Sequence, residues 1–166
     1  MDTLHSFVDG QRQAGEGRVI SLASPQYSEV VRGIVEASDA LCSRAVASAE
    51  AAYRRHGAAP VFQRAAWLSA AADLLEQRVA PMAELLVSDV GKPVRVARVE
   101  VVRGVQFLRA CAAQLQTLAG EALPMDAVAN GVGRLGLVRR VPYGVVAAIT
   151  PFNAPINLLV QKVAPR

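Results

Sequence analysis

Reactive and metal-binding side chains are scarce in this sequence, which has two cysteines and two histidines among 166 residues. Cys42 and Cys111 form no Cys-x-x-Cys pair and no metal-ligand spacing with His5 or His56, so the pattern offers neither a disulfide framework nor a metal site. Both cysteines fall in helix-like stretches and are expected to serve as small buried hydrophobes. Aromatic residues make up only 5% of the chain. None of them interleaves with a basic stripe, so the net charge of +4 lacks the footprint of nucleic-acid binding. The arginines are spread along helical segments beside Glu and Asp, with tight pairs only at Arg54-Arg55 and Arg139-Arg140. No nucleic-acid partner is expected. Residues 1–10 contain no basic region followed by an apolar run, so they do not read as a secretory signal. No stretch approaches the roughly 18 apolar residues of a membrane span. The expectation is a cytoplasmic chain with reduced thiols and no membrane partner.

Aliphatic surface and helical periodicity are abundant. Hydrophobic residues make up 52% of the chain, mostly Ala, Val and Leu. A chain of this length fits one ordinary domain and can bury about 70% of its unfolded surface. The surplus suggests apolar faces reserved for a partner or a missing domain.

Residues 6–10 read as a short strand ending in an Asp-Gly turn, with residues 18–23 as the expected partner and 29–35 as a further strand broken by Gly33. Ser38 is a good N-cap for a helix carrying Leu41, Ala45, Ala49 and Ala52 at helical spacing, with Gly57 as its C-cap. A second helix is expected over 61–79 with Trp67, Ala71, Leu74 and Leu75 inward. A third starts around Pro81 and ends near Gly91. A long fourth helix runs from Pro93 to about Ala119, with Val101, Val105, Leu108, Ala112 and Leu115 on its core face. Residues 121–133 look like a loop, and 134–141 like an exposed strand with charged ends. Residues 145–149 form a continuous apolar run, as expected of a buried parallel strand. Residues 150–155 then make a tight connection into a helix over 156–163.

Asn153 stands where that strand would give way to the helix. From the residues alone it reads first as a helix cap, for which Asn is well suited, and second as an amide aimed into the crevice at the strand's carboxyl end. Open α/β sheets bind ligands in that crevice. An amide placed there can donate to a developing oxyanion.

The run Pro142-Tyr143-Gly144-Val145-Val146-Ala147-Ala148-Ile149-Thr150-Pro151-Phe152-Asn153-Ala154-Pro155, followed by Lys162-Val163-Ala164-Pro165, resembles the aldehyde dehydrogenase superfamily. The family pattern is Pro-x-Gly-Val-x-x-x-Ile-x-Pro-(Trp or Phe)-Asn-x-Pro, then Lys-x-x-Pro. Val8-Asp9-Gly10 is similar to the family's opening hairpin. Asp89-Val90-Gly91-Lys92-Pro93 is similar to its Glu-Thr-Gly-Lys-Pro turn, with Asp for Glu and Val for Thr. The resemblance extends to Pro165, and Arg166 then departs from the small residues and Gly-Asn that follow in the family.

The resemblance implies an α/β fold: an N-terminal helical part, the first strand-turn-helix of a Rossmann-like NAD(P)-binding domain with an incomplete sheet, and an oligomerisation arm strand. The implied segments are 1–133 (hairpin and helices), 134–143 (arm) and 144–166 (start of the sheet). It implies oxidation of an aldehyde to a carboxylic acid with NAD or NADP. In that chemistry a cysteine thiolate attacks the carbonyl, an asparagine amide holds the oxyanion, and a glutamate activates water. Asn153 matches the oxyanion asparagine, and Lys162 the lysine near the active site, which also reads as an ordinary solvated helix lysine. Ile149, Thr150, Pro151 and Phe152 match the stretch lining the cofactor crevice. The Phe-Asn-Ala-Pro variant resembles members acting on small oxygenated or charged aldehydes, such as lactaldehyde-like ones.

The family's catalytic cysteine and glutamate lie beyond the matched stretch, which corresponds to about the first third of a member. The 166 residues are therefore expected to be a fragment, inactive alone. A small aldehyde is the expected substrate of the intact parent, and a homo-oligomer or association with full-length relatives the expected assembly. The alternatives are a non-catalytic association module and a non-functional truncated remnant.

Overall fold

The computed structural model describes residues 2–25 and 28–165; Met1 and Arg166, the outer ends of the first and last segments above, lie outside the described residues. Asp9 and Gly10 both have positive φ, 53° and 74°. That pair of angles belongs to a two-residue hairpin turn. It closes β2 (Ser6–Val8) onto β3 (Gln11–Gln13). So tight a turn fixes the partner as the residues directly after Gly10, which displaces the expected partner at 18–23. That stretch supplies β4 (Val19–Ala23), antiparallel to β5 (Val30–Val35), and β5 also pairs in parallel with β1 (Asp2–Leu4). Gly33 does not break β5; it pairs with Ser21 on one side and Thr3 on the other.

Helix α1 (Asp39–His56) opens as its sequence suggests: the Ser38 hydroxyl accepts from the Leu41 amide at 3.2 Å. Gly57 ends it in an ordinary right-handed conformation. Helix α2 (Val61–Glu76) stops short of the expected 79, and α3 (Val79–Val90) begins two residues before Pro81. Pro81 is thus in the first turn of α3, where a missing N–H leaves no intrahelical bond unmade. Gly91 then turns the chain with φ +69°, and the amides of Gly91 and Lys92 return to the carbonyls of Val87 and Leu86. Helix α4 (Val94–Leu115) follows directly and ends earlier than the expected 119.

Helices α2, α3 and α5 (Pro155–Val163) all pack on α4. Its inward stripe is Ala97, Glu100, Val101, Gly104, Val105, Leu108 and Ala112. Leu115, expected on that face, is only half-buried. One apolar cluster joins Ala72, Val105, Leu108 and Ala164; a second joins Ala83, Leu86, Ala97 and Val101. On α2 the inward residues are Ala65, Leu68, Ala72 and Leu75, whereas Trp67 and Leu74 are 45% and 49% exposed. Of the expected stripe Leu75 faces inward and Ala71 is exposed like Trp67 and Leu74, because α2 is apolar on nearly every side and its own periodicity selects no face. On α1 only Leu41 is buried. Cys42, expected inside, is exposed next to Leu41, while Cys111 is half-buried against the first cluster.

Beyond α4 the stretch expected to be a loop contains β6 (Glu121–Leu123) and two short 3-10 turns at Met125–Ala127 and Ala129–Gly131. β6 pairs antiparallel with β7 (Gly136–Val138), so the expected strand over 134–141 is shorter and has one edge paired. Residues 145–149 form no strand, contrary to expectation, and are exposed, with Ile149 at 86%. A parallel strand exists only as part of a ladder, and none of the three sheets among the described residues includes this run. Among the described residues no helix is long and apolar enough to cross a membrane.

Candidate active-site turn

Residues 150–154 connect the exposed apolar run to α5, with Pro155 as the first residue of the helix. Proline suits that position because its missing N–H is one the helix does not use. The residue preceding the helix is Ala154, and no side chain there caps it. Asn153 therefore does not act as the cap. Its side chain is exposed, and among the described residues no hydrogen bond engages its amide group.

The cap comes from another helix. Glu100 Oε1 accepts from the Ile156 amide at 2.9 Å and the Asn157 amide at 3.4 Å. These are orphan donors at the positive end of α5, which a carboxylate satisfies both as acceptor and as charge. The other carboxylate oxygen pairs with Lys92 Nζ, and Lys92 also donates to the Asn153 carbonyl at 2.8 Å. The pair is sheltered, with the Glu100 side chain 4% exposed and that of Lys92 13%. Sequence reasoning gave neither residue a role. Glu100 had a legible signal, a carboxylate within the apolar stripe of α4, and Lys92 stood in a turn whose resemblance was noted.

Around this frame Thr150 is half-buried, Pro151 is exposed, and Ile149 and Phe152 are 86% and 70% exposed. They adjoin Asn153 along the chain. Lys162 is exposed in the last turn of α5, at the far end of that helix from Asn153, and no contact among the described residues joins the two. Cys111 is half-buried against the first apolar cluster, and that burial pushes its thiol above the ordinary range, which lowers the share of the reactive thiolate.

The apolar, open character of Ile149 and Phe152 fits one edge of a planar heterocycle. Asn153 adds a side-chain amide with no partner among the described residues. The turn itself carries no cation to meet a phosphate.

Residues 12–166 match the model of the aldehyde dehydrogenase family. The chain is 40% identical over 123 residues to the 3-sulfolactaldehyde dehydrogenase of Priestia aryabhattai, covering 74% of this chain and 25% of that protein. It is 32% identical over 159 residues to the lactaldehyde dehydrogenase of Methanocaldococcus jannaschii, covering 96% of this chain and 33% of that one. The crystal structure of NADP-dependent glyceraldehyde-3-phosphate dehydrogenase from Bacillus halodurans, complexed with NADP, superposes with a TM-score of 0.94 at 33% identity, over 99% of this chain and 35% of that one. The chain thus spans a quarter to about a third of the length of these relatives.

Proposed function

Because this chain belongs to the aldehyde dehydrogenase family, we propose that it forms the N-terminal part of an NAD(P)-dependent enzyme that oxidises a small polar aldehyde to its carboxylic acid. One observation carries the reading: the Asn153 side-chain amide has no partner among the described residues, while the backbone of its turn is held from behind by Lys92 and Glu100. A rigid turn presenting an unoccupied donor is what stabilisation of a developing oxyanion requires, because no reorganisation is then needed during reaction.

In this reading Asn153 donates to the carbonyl oxygen as a thiolate adds to the aldehyde carbon. That thiolate belongs to a cysteine outside residues 1–166, as does the glutamate that activates water. Residues 1–166 alone therefore turn over no aldehyde. Ile149, Thr150, Pro151 and Phe152 line the nicotinamide side of the crevice and exclude water from it. NAD or NADP, when bound, supplies the hydride acceptor. Lys162 serves as a charged group bordering the site.

Lactaldehyde and 3-sulfolactaldehyde, named for two relatives, are small oxygenated aldehydes, and that is the substrate class we assign. The assembly has three segments: residues 1–133 support the crevice, 134–143 form an arm between subunits, and 144–166 begin the cofactor-binding sheet. The test is turnover. Residues 1–166, grafted in place of the matching third of an active relative, are expected to support NAD(P)-linked oxidation of lactaldehyde. A well-folded graft that binds cofactor but oxidises no aldehyde would count against the assignment.

One observation also favours association as a role of its own. Leu135, Leu137, Val141 and Tyr143 are 70–91% exposed along the arm. Such a surface suits pairing with another subunit, whether a copy of this chain or a full-length relative.

A further inference from the structure

The sheltered Lys92–Glu100 pair touches no substrate in the reading above, and Lys92 borders an open depression lined also by Pro25, Val87, Gly91, Pro93 and Val94. The pair nevertheless makes the contacts that define the Asn153 turn. Gly91 has the left-handed φ that reverses the chain after α3, which brings Lys92 beneath the turn. Glu100 projects from α4 about two turns into that helix, and Gly104, one turn further on, lets α5 come close. A Cβ at Gly104 would lie 3.2 Å from Ile156 Cγ2 and 3.3 Å from Leu75 Cδ2. The ion pair therefore grips the turn on both sides of Pro155: Lys92 holds the Asn153 carbonyl before it, and Glu100 holds the Ile156 and Asn157 amides after it. Two residues bonded this way fix the peptide plane that follows Asn153 and the start of α5, and with them the direction in which the Asn153 side chain leaves the backbone.

We propose that Lys92 and Glu100 are positioning residues for Asn153, acting as one buried clamp that sets the orientation of its amide. The catalytic consequence rests on the oxyanion reading of Asn153, whereas the clamp itself does not. The two are separable because Lys92 bonds the backbone of Asn153. Asn153→Ala removes the proposed oxyanion donor and leaves every clamp contact in place.

The experiment is residue-resolved NMR on the full 166-residue chain, comparing wild type with Lys92→Met, Lys92→Arg, Glu100→Gln and Asn153→Ala. Lys92→Met is expected to move the backbone and side-chain amide signals of Asn153, and Lys92→Arg to restore them towards wild type. Glu100→Gln is expected to speed amide exchange at Ile156 and Asn157 by about tenfold or more, with Val105 and Leu108 changing by less than about twofold. Asn153→Ala should leave protection at Ile156 and Asn157 unchanged. Unmoved Asn153 signals in Lys92→Met would overturn the proposal. So would uniformly faster exchange through all the helices, which would reduce the pair to a general core contact. If Glu100→Gln does not fold, the Lys92 pair of variants decides by the same signals. None of these outcomes depends on whether Asn153→Ala lowers turnover.

Discussion

Glu100 shows how far a single residue can be read from sequence. The stripe Ala97, Val101, Gly104, Val105 and Leu108 places it on the core face of α4, and a carboxylate there requires a partner. The partners are one lysine eight residues back and two amides more than fifty residues on, and the second kind has no sequence signature. The same stripe explains Gly104, where the nearest atoms to an added Cβ belong to Ile156 and Leu75. Gly104→Val should destabilise the chain by about 1–3 kcal/mol through overpacking; urea unfolding at an unchanged midpoint would contradict this. The cysteines also differ at this scale. Cys42 is exposed, while Cys111 is partly buried and its thiol is pushed up by that burial. A raised folded-state value means less thiolate at any pH below it, so Cys111 should react more slowly than Cys42 with a thiol reagent at pH 8. Equal rates would contradict the burial of Cys111.

At the scale of elements, the helix cap, the tight turn and the α4 stripe follow from sequence, while helix ends and strand partners do not. Ser38 capped α1, Asp9-Gly10 closed a hairpin, and the face of α4 matched its periodicity because each depends on residues within a turn or two of one another. The inward face of α2 was illegible since Ala, Leu and Trp surround that helix, and only contact with α4 selects Ala65, Leu68, Ala72 and Leu75. Asn153 shows the same limit. Its place at the start of α5 was legible, but whether it caps the helix was decided by Glu100 from α4. The docking of α5 depends on that carboxylate. Glu100→Ala leaves Lys92 without its counter-charge and two amides without an acceptor, and breaking a buried pair in this way typically costs about 3–5 kcal/mol. Denaturant titration should show that loss, and a change below about 1 kcal/mol, the scale of a surface pair, would mean that the pair is effectively solvated. The bridge between Arg32 on β5 and Asp89 on α3, at 3.0 Å and about one-fifth exposed on each side, ties the small sheet to the helices.

The whole molecule carries its apolar surface unevenly. Helices α2 to α5 enclose two clusters, whereas Leu135, Val141, Tyr143, Ile149 and Phe152 are all at least 70% exposed. Residues 145–149 have the apolar run of a buried parallel strand but form no strand and are exposed. Burial requires neighbouring strands, which a local pattern cannot supply. Family membership was legible because several short motifs agree in order and spacing. The purified chain should bind a hydrophobic dye and self-associate in sedimentation; a dye-silent, monodisperse monomer would contradict this. The central claim is that Asn153 supplies the oxyanion donor, and steady-state kinetics on the lactaldehyde-active graft carrying Asn153→Ala tests it most directly. The expected result is a fall in kcat of about 10²–10³-fold with Ile156 and Asn157 still protected from exchange. An unchanged kcat in a folded, cofactor-binding protein would remove Asn153 from the chemistry.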